Sequence, residues 1–309
     1  MYESFLFIFA FFIGYYSFNI KKSFKTIKIF NLSLNLIVIF ILFLAGYNFS
    51  IFTHTNTIIL QVLGISFVYT SIIFVTNIVG IFIYCKYNKM LKKNYITANI
   101  KNTPSNKLIT IIKGSKYLIY LIFGYILGEI IDISIANITD YLVFTLLFVL
   151  MLIVGALLKF ENISLKNIFK NKDSLYIVMI IVILSIISGI LISLFIVDIP
   201  IKQSMMICSG LGWYSLSMVL NTKFIGEYYG MITFTVDFSR ELLSIALIPL
   251  LKRYLSIELI GYSANTAMDF CLPVIKENYG NKSIPLAITI GVMLTIITPS
   301  LLILENILL

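Results

Sequence analysis

Histidine, cysteine, tryptophan and charge are all scarce in this chain, and each scarcity removes a class of function. The only histidine, His54, falls in a loop, and the three cysteines (Cys85, Cys208 and Cys271) stand at no metal-ligand spacing. A protein-built zinc site is therefore not expected, no cofactor is implied, and the thiols read as structural. Charged residues are 12% of the 309, against 60% hydrophobic. That is about half the charge of a soluble domain, which excludes one. The apolar stretches are continuous runs rather than alternating strands of about ten residues, which excludes a β-barrel. The net charge of +9 does not mark a nucleic-acid binder, because the basic residues form short clusters between apolar runs. What remains is an all-α polytopic membrane protein whose principal solvent is the lipid bilayer.

Six apolar runs come first, at about Phe5–Asn19, Phe30–Tyr47, Ile58–Tyr84, Tyr117–Ile133, Tyr141–Leu158 and Leu175–Val197. The first follows Glu3 and precedes Lys21, Lys22 and Lys25, the reverse of a cleavable signal peptide, so it reads as a retained span with the N-terminus outside. The lysine-rich connection Lys86–Lys116 reads as a solvated cytoplasmic linker. It divides the chain into N-terminal spans (1–85), linker (86–116) and a transport core (117–309). Glu129 and Asp132, near the outer end of the fourth run, read as interfacial.

Beyond Asp198-Ile199-Pro200 the pattern is less regular. Gly230–Leu251 and Pro285–Leu304 are full spans, but Ser204–Leu220 and Leu259–Val274 are short and interrupted by polar residues and glycine. If both short segments are re-entrant, eight spans result, with both termini outside. Of the 23 basic residues, all but Lys202, Lys223 and Arg240 then fall inside. Non-helical backbone at membrane depth survives only where protein or a wet cavity satisfies it, so two such segments point to a binding site between them. Leu42–Gly46 lines up with Met151–Gly155, a short internal repeat.

The costliest stretch is Val236-Asp237-Phe238-Ser239-Arg240-Glu241, in the middle of a span. Each such charge costs roughly 2.5–3.5 kcal/mol at the bilayer centre, where a Leu or Ile returns only about 0.3–0.6 kcal/mol. Thr233, Asp237, Glu241 and Ser244 share one helix face. Arg240 lies to one side, and an Asp237–Arg240 ion pair is the expected arrangement. That leaves Glu241 to exchange a proton; the alternative is a carboxyl merely hydrogen-bonded in the bundle. Asp269 follows the expected helix break at Asn265-Thr266, where it reads either as a second binding acid or as a helix N-cap. Gly210-Leu211-Gly212-Trp213-Tyr214 permits a tight turn, with aromatic rings that line a pocket or anchor at an interface.

Ser209-Gly210-Leu211-Gly212-Trp213-Tyr214-Ser215-Leu216-Ser217, then Asp237-Phe238-Ser239-Arg240-Glu241-Leu242, then Ala264-Asn265-Thr266-Ala267-Met268-Asp269-Phe270 with Leu272-Pro273, resemble the lysine exporter family LysO. The likeness is strong over roughly 175–305 and looser before it. It implies a bacterial inner-membrane exporter of L-lysine and of analogues such as thialysine, using intramembrane acids at positions matching Glu241 and Asp269. Asn265-Thr266-Ala267 departs from the family pattern, which bears on substrate choice.

The resulting expectation is a transporter rather than an enzyme. It exports lysine by proton antiport through Glu241 and Asp269, supported by Asp237 and Arg240. The cavity would be lined by Ser209, Gly210, Gly212, Trp213, Tyr214, Ser215, Ser217, Asn265 and Thr266. Competing readings are another cationic amino acid, sodium coupling through Asn265, Thr266 and the serines, a channel, and an intramembrane aspartyl protease using Asp237 and Asp269. The protease lacks a Gly-x-Gly-Asp signature, and Arg240 would neutralise one of its acids. The partners implied are lysine, protons or sodium, and the lipid bilayer. No nucleic acid is expected, and a homo-oligomer is compatible with the sequence.

Overall fold

In a bilayer each backbone N–H and C=O must be satisfied within the protein, so apolar runs of this length become helices. The computed structural model describes residues 2–17, 24–52, 56–88, 95–96, 119–130, 136–160, 171–195 and 199–309. Among them no strand occurs, and the chain is an all-α membrane protein. His54, Asp132, Asp198 and most of the lysine-rich linker lie outside the described residues. The long helices are α1 (Tyr2–Ser17), α2 (Phe24–Phe52), α3 (Asn56–Tyr87), α4 (Ile119–Ile130), α5 (Ala136–Phe160) and α6 (Lys172–Phe195). Then come α7 (Ile201–Cys208), α8 (Tyr214–Ile225), α9 (Glu227–Leu251), α10 (Ile257–Ser263), a 3₁₀ turn (Ala264–Met268), α11 (Leu272–Tyr279) and α12 (Ile284–Leu308). Proline marks helix starts at Pro200, Pro273 and Pro285, where a missing N–H costs nothing.

The chain forms two compact units, neither continuous in sequence: residues 1–59 with 116–168, and 60–115 with 169–309. In the first, α1 lies against α5 and α2 against α4, each pair crossing at facing glycines. A Cβ on Gly14 would meet the backbone of Leu152 and Ala156, and one on Gly155 that of Phe11 and Tyr15. A Cβ on Gly46 would meet Leu121 and Tyr125, and one on Gly124 would meet Phe43 and Tyr47. Each glycine thus faces residues three before and one after its partner, in both crossings.

The directions follow from side chains. Lys159, late in α5, sits over the ring of Tyr15, late in α1, so this pair is parallel. Ser50 lies beside Gly128, beyond the Gly46–Gly124 crossing, so α2 and α4 are parallel too. Phe30, early in α2, meets Phe160, at the end of α5, at 5.3 Å, so those two are antiparallel. Exchanging α1 with α4 and α2 with α5 therefore reproduces the unit with its direction reversed, the arrangement of an inverted repeat. The matching of Leu42–Gly46 with Met151–Gly155 is one half of it.

In the second unit α3 and α6 are antiparallel and joined through polar side chains. Thr76 and Ser188 hydroxyls lie 2.7 Å apart, and Asn77 Nδ2 reaches Ser185 Oγ at 3.4 Å. Tyr69 donates to Ser204 Oγ at 2.7 Å, which ties α3 to α7. These two helices back the segment from α7 to α12, which holds the buried charges.

Candidate functional site

The segment is built as two repeats of a short hairpin followed by a long helix. In the first hairpin α7 stops at Ser209 and α8 doubles back. Asn221 Nδ2, near the end of α8, donates to the carbonyl of Met206 in α7 at 3.0 Å. A straight helix would hold those residues roughly 22 Å apart. In the second hairpin Tyr279 at the end of α11 donates to the carbonyl of Leu255, just before α10, at 2.8 Å. Both short segments therefore fold back on themselves as hairpins. They begin at opposite ends of α9, whose 25 residues span roughly 37 Å.

Both breaks contain left-handed backbone. Leu211 has φ 51°, Gly212 φ 84° and Ala264 φ 51°. Such φ values in residues with a Cβ cost about 1–3 kcal/mol and persist only where the surroundings impose them. Asn265 does so here. Its backbone N–H and its Nδ2 both donate to the Leu211 carbonyl at 3.1 Å, joining the tips. The same Nδ2 lies 2.9 Å from Thr298 Oγ1, and Thr295 Oγ1 lies 3.3 Å from Asn265 Oδ1, which fixes the tips to α12.

The charged stretch of α9 lies beside these tips. Asp237, 2% exposed, accepts from the Gly212 N–H at 2.8 Å and from Ser217 Oγ at 2.6 Å. Gly210 is required for this approach, because a Cβ there would overlap the Asp237 carboxylate. Arg240, also 2% exposed, donates through Nε to the Tyr262 carbonyl at 2.7 Å, with its guanidinium 5.0 Å from the Tyr262 ring centroid. The expected Asp237–Arg240 ion pair is replaced by two links to different hairpins. The charges still attract, but broken-helix backbone supplies better-placed partners than a neighbour three residues away on the same helix.

The face carrying Thr233, Asp237, Glu241 and Ser244 is buried throughout. Thr233 Oγ1 receives Asn221 Nδ2 at 2.8 Å, and Ser244 donates to the Arg240 carbonyl. Glu241 is 0% exposed, and among the described residues neither of its oxygens has a hydrogen-bond partner. Asp269 acts on it electrostatically. Asp269 itself is exposed, just past the 3₁₀ turn. It is not the cap of α11, a position that Cys271 holds.

The remaining expected lining residues divide. Trp213 is half-buried at the break, whereas Tyr214 packs edge-on against Phe234 and Phe238, 5.7 Å from each. Ser215 is buried in α8, and Thr266 Oγ1 closes onto the Ser263 carbonyl at 2.7 Å. Ser209 leads to a residue the sequence reading passed over. Its hydroxyl donates at 2.7 Å to Oε1 of Glu305, which is 5% exposed in the last turn of α12. The final run was read as ending at Leu304, and an acid just past a span end looks like an ordinary interfacial charge. Tyr262, Thr295 and Thr298 were missed too, since nothing in their local pattern separates them from helix packing. No cluster of His, Cys, Asp or Glu able to hold a metal ion occurs among the described residues.

Over 155 residues the chain is 38% identical to the protein named Lysine exporter LysO of Escherichia coli, covering 50% of this chain and 52% of that protein. A relative from Haemophilus influenzae is 39% identical over 163 residues, covering 53% of this chain and 81% of its own length. The match thus spans about half of the Escherichia coli relative. No solved structure matches. The family described as Lysine exporter LysO matches residues 118–305, which include both hairpins, α9 and Glu305 of α12, and the chain belongs to that family.

Proposed function

We propose that this chain is a secondary transporter that exports L-lysine, with analogues such as thialysine, across the bacterial cytoplasmic membrane in exchange for protons. The observation that carries the reading is Glu241: a carboxylate beside two crossed helix breaks, fully buried, with neither oxygen bonded among the described residues. A carboxylate in a low-dielectric site binds a proton or a cation, but not both well. Competition at that group couples outward lysine to inward protons. Asp269, exposed at the second break and acting on Glu241, is the acid through which a cation or proton reaches it. The family name and that of the Escherichia coli relative support lysine as the substrate.

Protons are favoured over sodium because Glu241, buried with neither oxygen bonded among the described residues, can be neutralised by a proton where it stands. The Asn265 amide and the Thr266 hydroxyl are engaged in the bonds that hold the breaks together. Both termini lie outside in this reading, as the charge bias of the loops requires.

Expression in a bacterial strain lacking its own lysine exporter tests the reading. The wild-type chain should confer lysine efflux and thialysine resistance. Glu241→Gln and Asp269→Asn should insert normally and lose efflux. Wild-type efflux rates in either variant would sink the coupling assignment.

A further inference from the structure

Two adjacent charges on α9 keep groups that the bracing of the hairpins leaves unused. Arg240 spends its Nε on the Tyr262 carbonyl and holds its guanidinium carbon 5.0 Å from the Tyr262 ring centroid, yet its Nη2 is buried without a hydrogen-bond partner among the described residues. Glu241 follows it directly, with both carboxylate oxygens in the same condition. Asp237, the acid that acts on Arg240 electrostatically, directs its two oxygens to Gly212 and Ser217, so it does not occupy that nitrogen. Leaving a buried ionic donor unpartnered is costly, and so is leaving a buried carboxylate unpartnered. Two such groups in successive residues are explained by a ligand that completes both.

The chemistry of that ligand follows from the pair. Arg240 presents a planar donor fork, held by one nitrogen, and the matching partner of such a fork is a carboxylate. Glu241 presents an acceptor that matches an ammonium group. Both face the second hairpin. Arg240 meets Tyr262 in the last turn of α10, and Glu241 acts electrostatically on Cys271, at the start of α11. A molecule that carries both a carboxylate and a cationic amine is an amino acid. We propose that Arg240 binds the α-carboxylate of the transported amino acid while Glu241 receives an amino group, an inference that rests on the export reading above. Arg240 is then a substrate-binding residue that separates amino acids from diamines, in addition to linking α9 to the second hairpin.

Transport by the full-length protein in everted vesicles, with lysine, cadaverine and lysinamide as labelled substrates, tests this. Cadaverine keeps both amines and lacks the carboxylate, and lysinamide carries it as a neutral amide. Wild-type protein should carry lysine and disfavour both analogues by about 10- to 100-fold, the range set by losing hydrogen bonds to a charged group. Arg240→Gln should lower lysine transport to the cadaverine rate, so that the three substrates converge. Wild-type transport of cadaverine or lysinamide at about the lysine rate overturns the proposal and leaves the export reading intact. So does an inserted Arg240→Gln that keeps the wild-type preference. Should that variant fail to insert, the wild-type comparison alone decides. A wild type that moves none of the three removes the export reading, and this inference with it.

Discussion

Asp237 is the acid whose bonds the structure specifies most closely, and two substitutions at it give different expectations. Its carboxylate takes one bond from the Gly212 N–H at 2.8 Å and one from Ser217 Oγ at 2.6 Å. Asp237→Ala removes both. A bond to a charged group contributes about 1.5–3 kcal/mol, so the loss is about 3–6 kcal/mol, and the buried Gly212 N–H is left unsatisfied. Asp237→Asn behaves differently. Its oxygen can still accept from Gly212, and its amide can donate to Ser217 Oγ, because that hydroxyl lies 3.0 Å from the Trp213 carbonyl and can turn to donate there. The bond count survives, and only the charge assistance and the attraction to Arg240 are lost, which comes to about 1.5–3 kcal/mol. Trp213 is the only tryptophan in the chain and caps α8 at this break, so its emission reports the hairpin directly. Denaturation of detergent-purified protein followed by that emission should rank wild type above Asp237→Asn and Asp237→Asn well above Asp237→Ala. If Asn is as damaging as Ala, the carboxylate acts through its charge and not as a backbone latch. If Ala is as stable as wild type, the latch does not exist.

Three further expectations come from the same geometry. Ala264→Gly relieves the positive φ at the second break and should stabilise the protein by about 1 kcal/mol, read as a raised midpoint in the same denaturation. Asn265→Ala removes the side-chain link between the hairpin tips and α12. It should cost about 2–3 kcal/mol and shift Trp213 emission in the native state, whereas a loss without a shift would place the damage elsewhere. Gly155→Val forces a side chain into the backbone of Phe11 and Tyr15 and should cost about 3 kcal/mol in thermal stability. Gly64→Val, whose Cβ would have nothing within 4 Å, should cost almost nothing.

The sequence shows where the site is more clearly than how it is held. Charges at the middle of a span are expensive enough to stand out in any reading, and the polar interruptions at Ser209–Ser217 and Ser263–Asp269 stand out because the runs around them are too short to cross. The stripe from Thr233 to Ser244 follows from helical spacing and is buried as that spacing implies. The partners did not follow. Asp237 and Arg240 bind a backbone N–H and a backbone carbonyl exposed by broken helices, and every residue carries those groups, so no side-chain pattern announces them. Glu305 was hidden for another reason. An acid one residue past an apolar run is what any span end presents, and only folding places Ser209 against it. In the first unit half of the repeat, Gly46 with Gly155, was legible as a short alignment. Gly14 and Gly124 lie in stretches that share little besides a following tyrosine, so their equivalence is visible only as packing.

The bonds of the two long helices divide the intramembrane acids by role. α9 holds its own hairpin through Asp237 and the opposite hairpin through Arg240. α12 repeats the scheme, holding its own hairpin through Thr295 and Thr298 on Asn265 and the opposite one through Glu305 on Ser209. Asn265 closes the square by joining tip to tip. Each break is thus tied to both helices, and strained backbone at Leu211 and Ala264 is held in place because no single tie has to hold it. Asp237 and Glu305 are members of that frame, so changing their charge alters the positions of the hairpins. Glu241 carries none of the ties. It is the one buried acid of the stretch whose charge can change without first dismantling the frame, and that is the physical reason to propose exchange for it and support for Asp237.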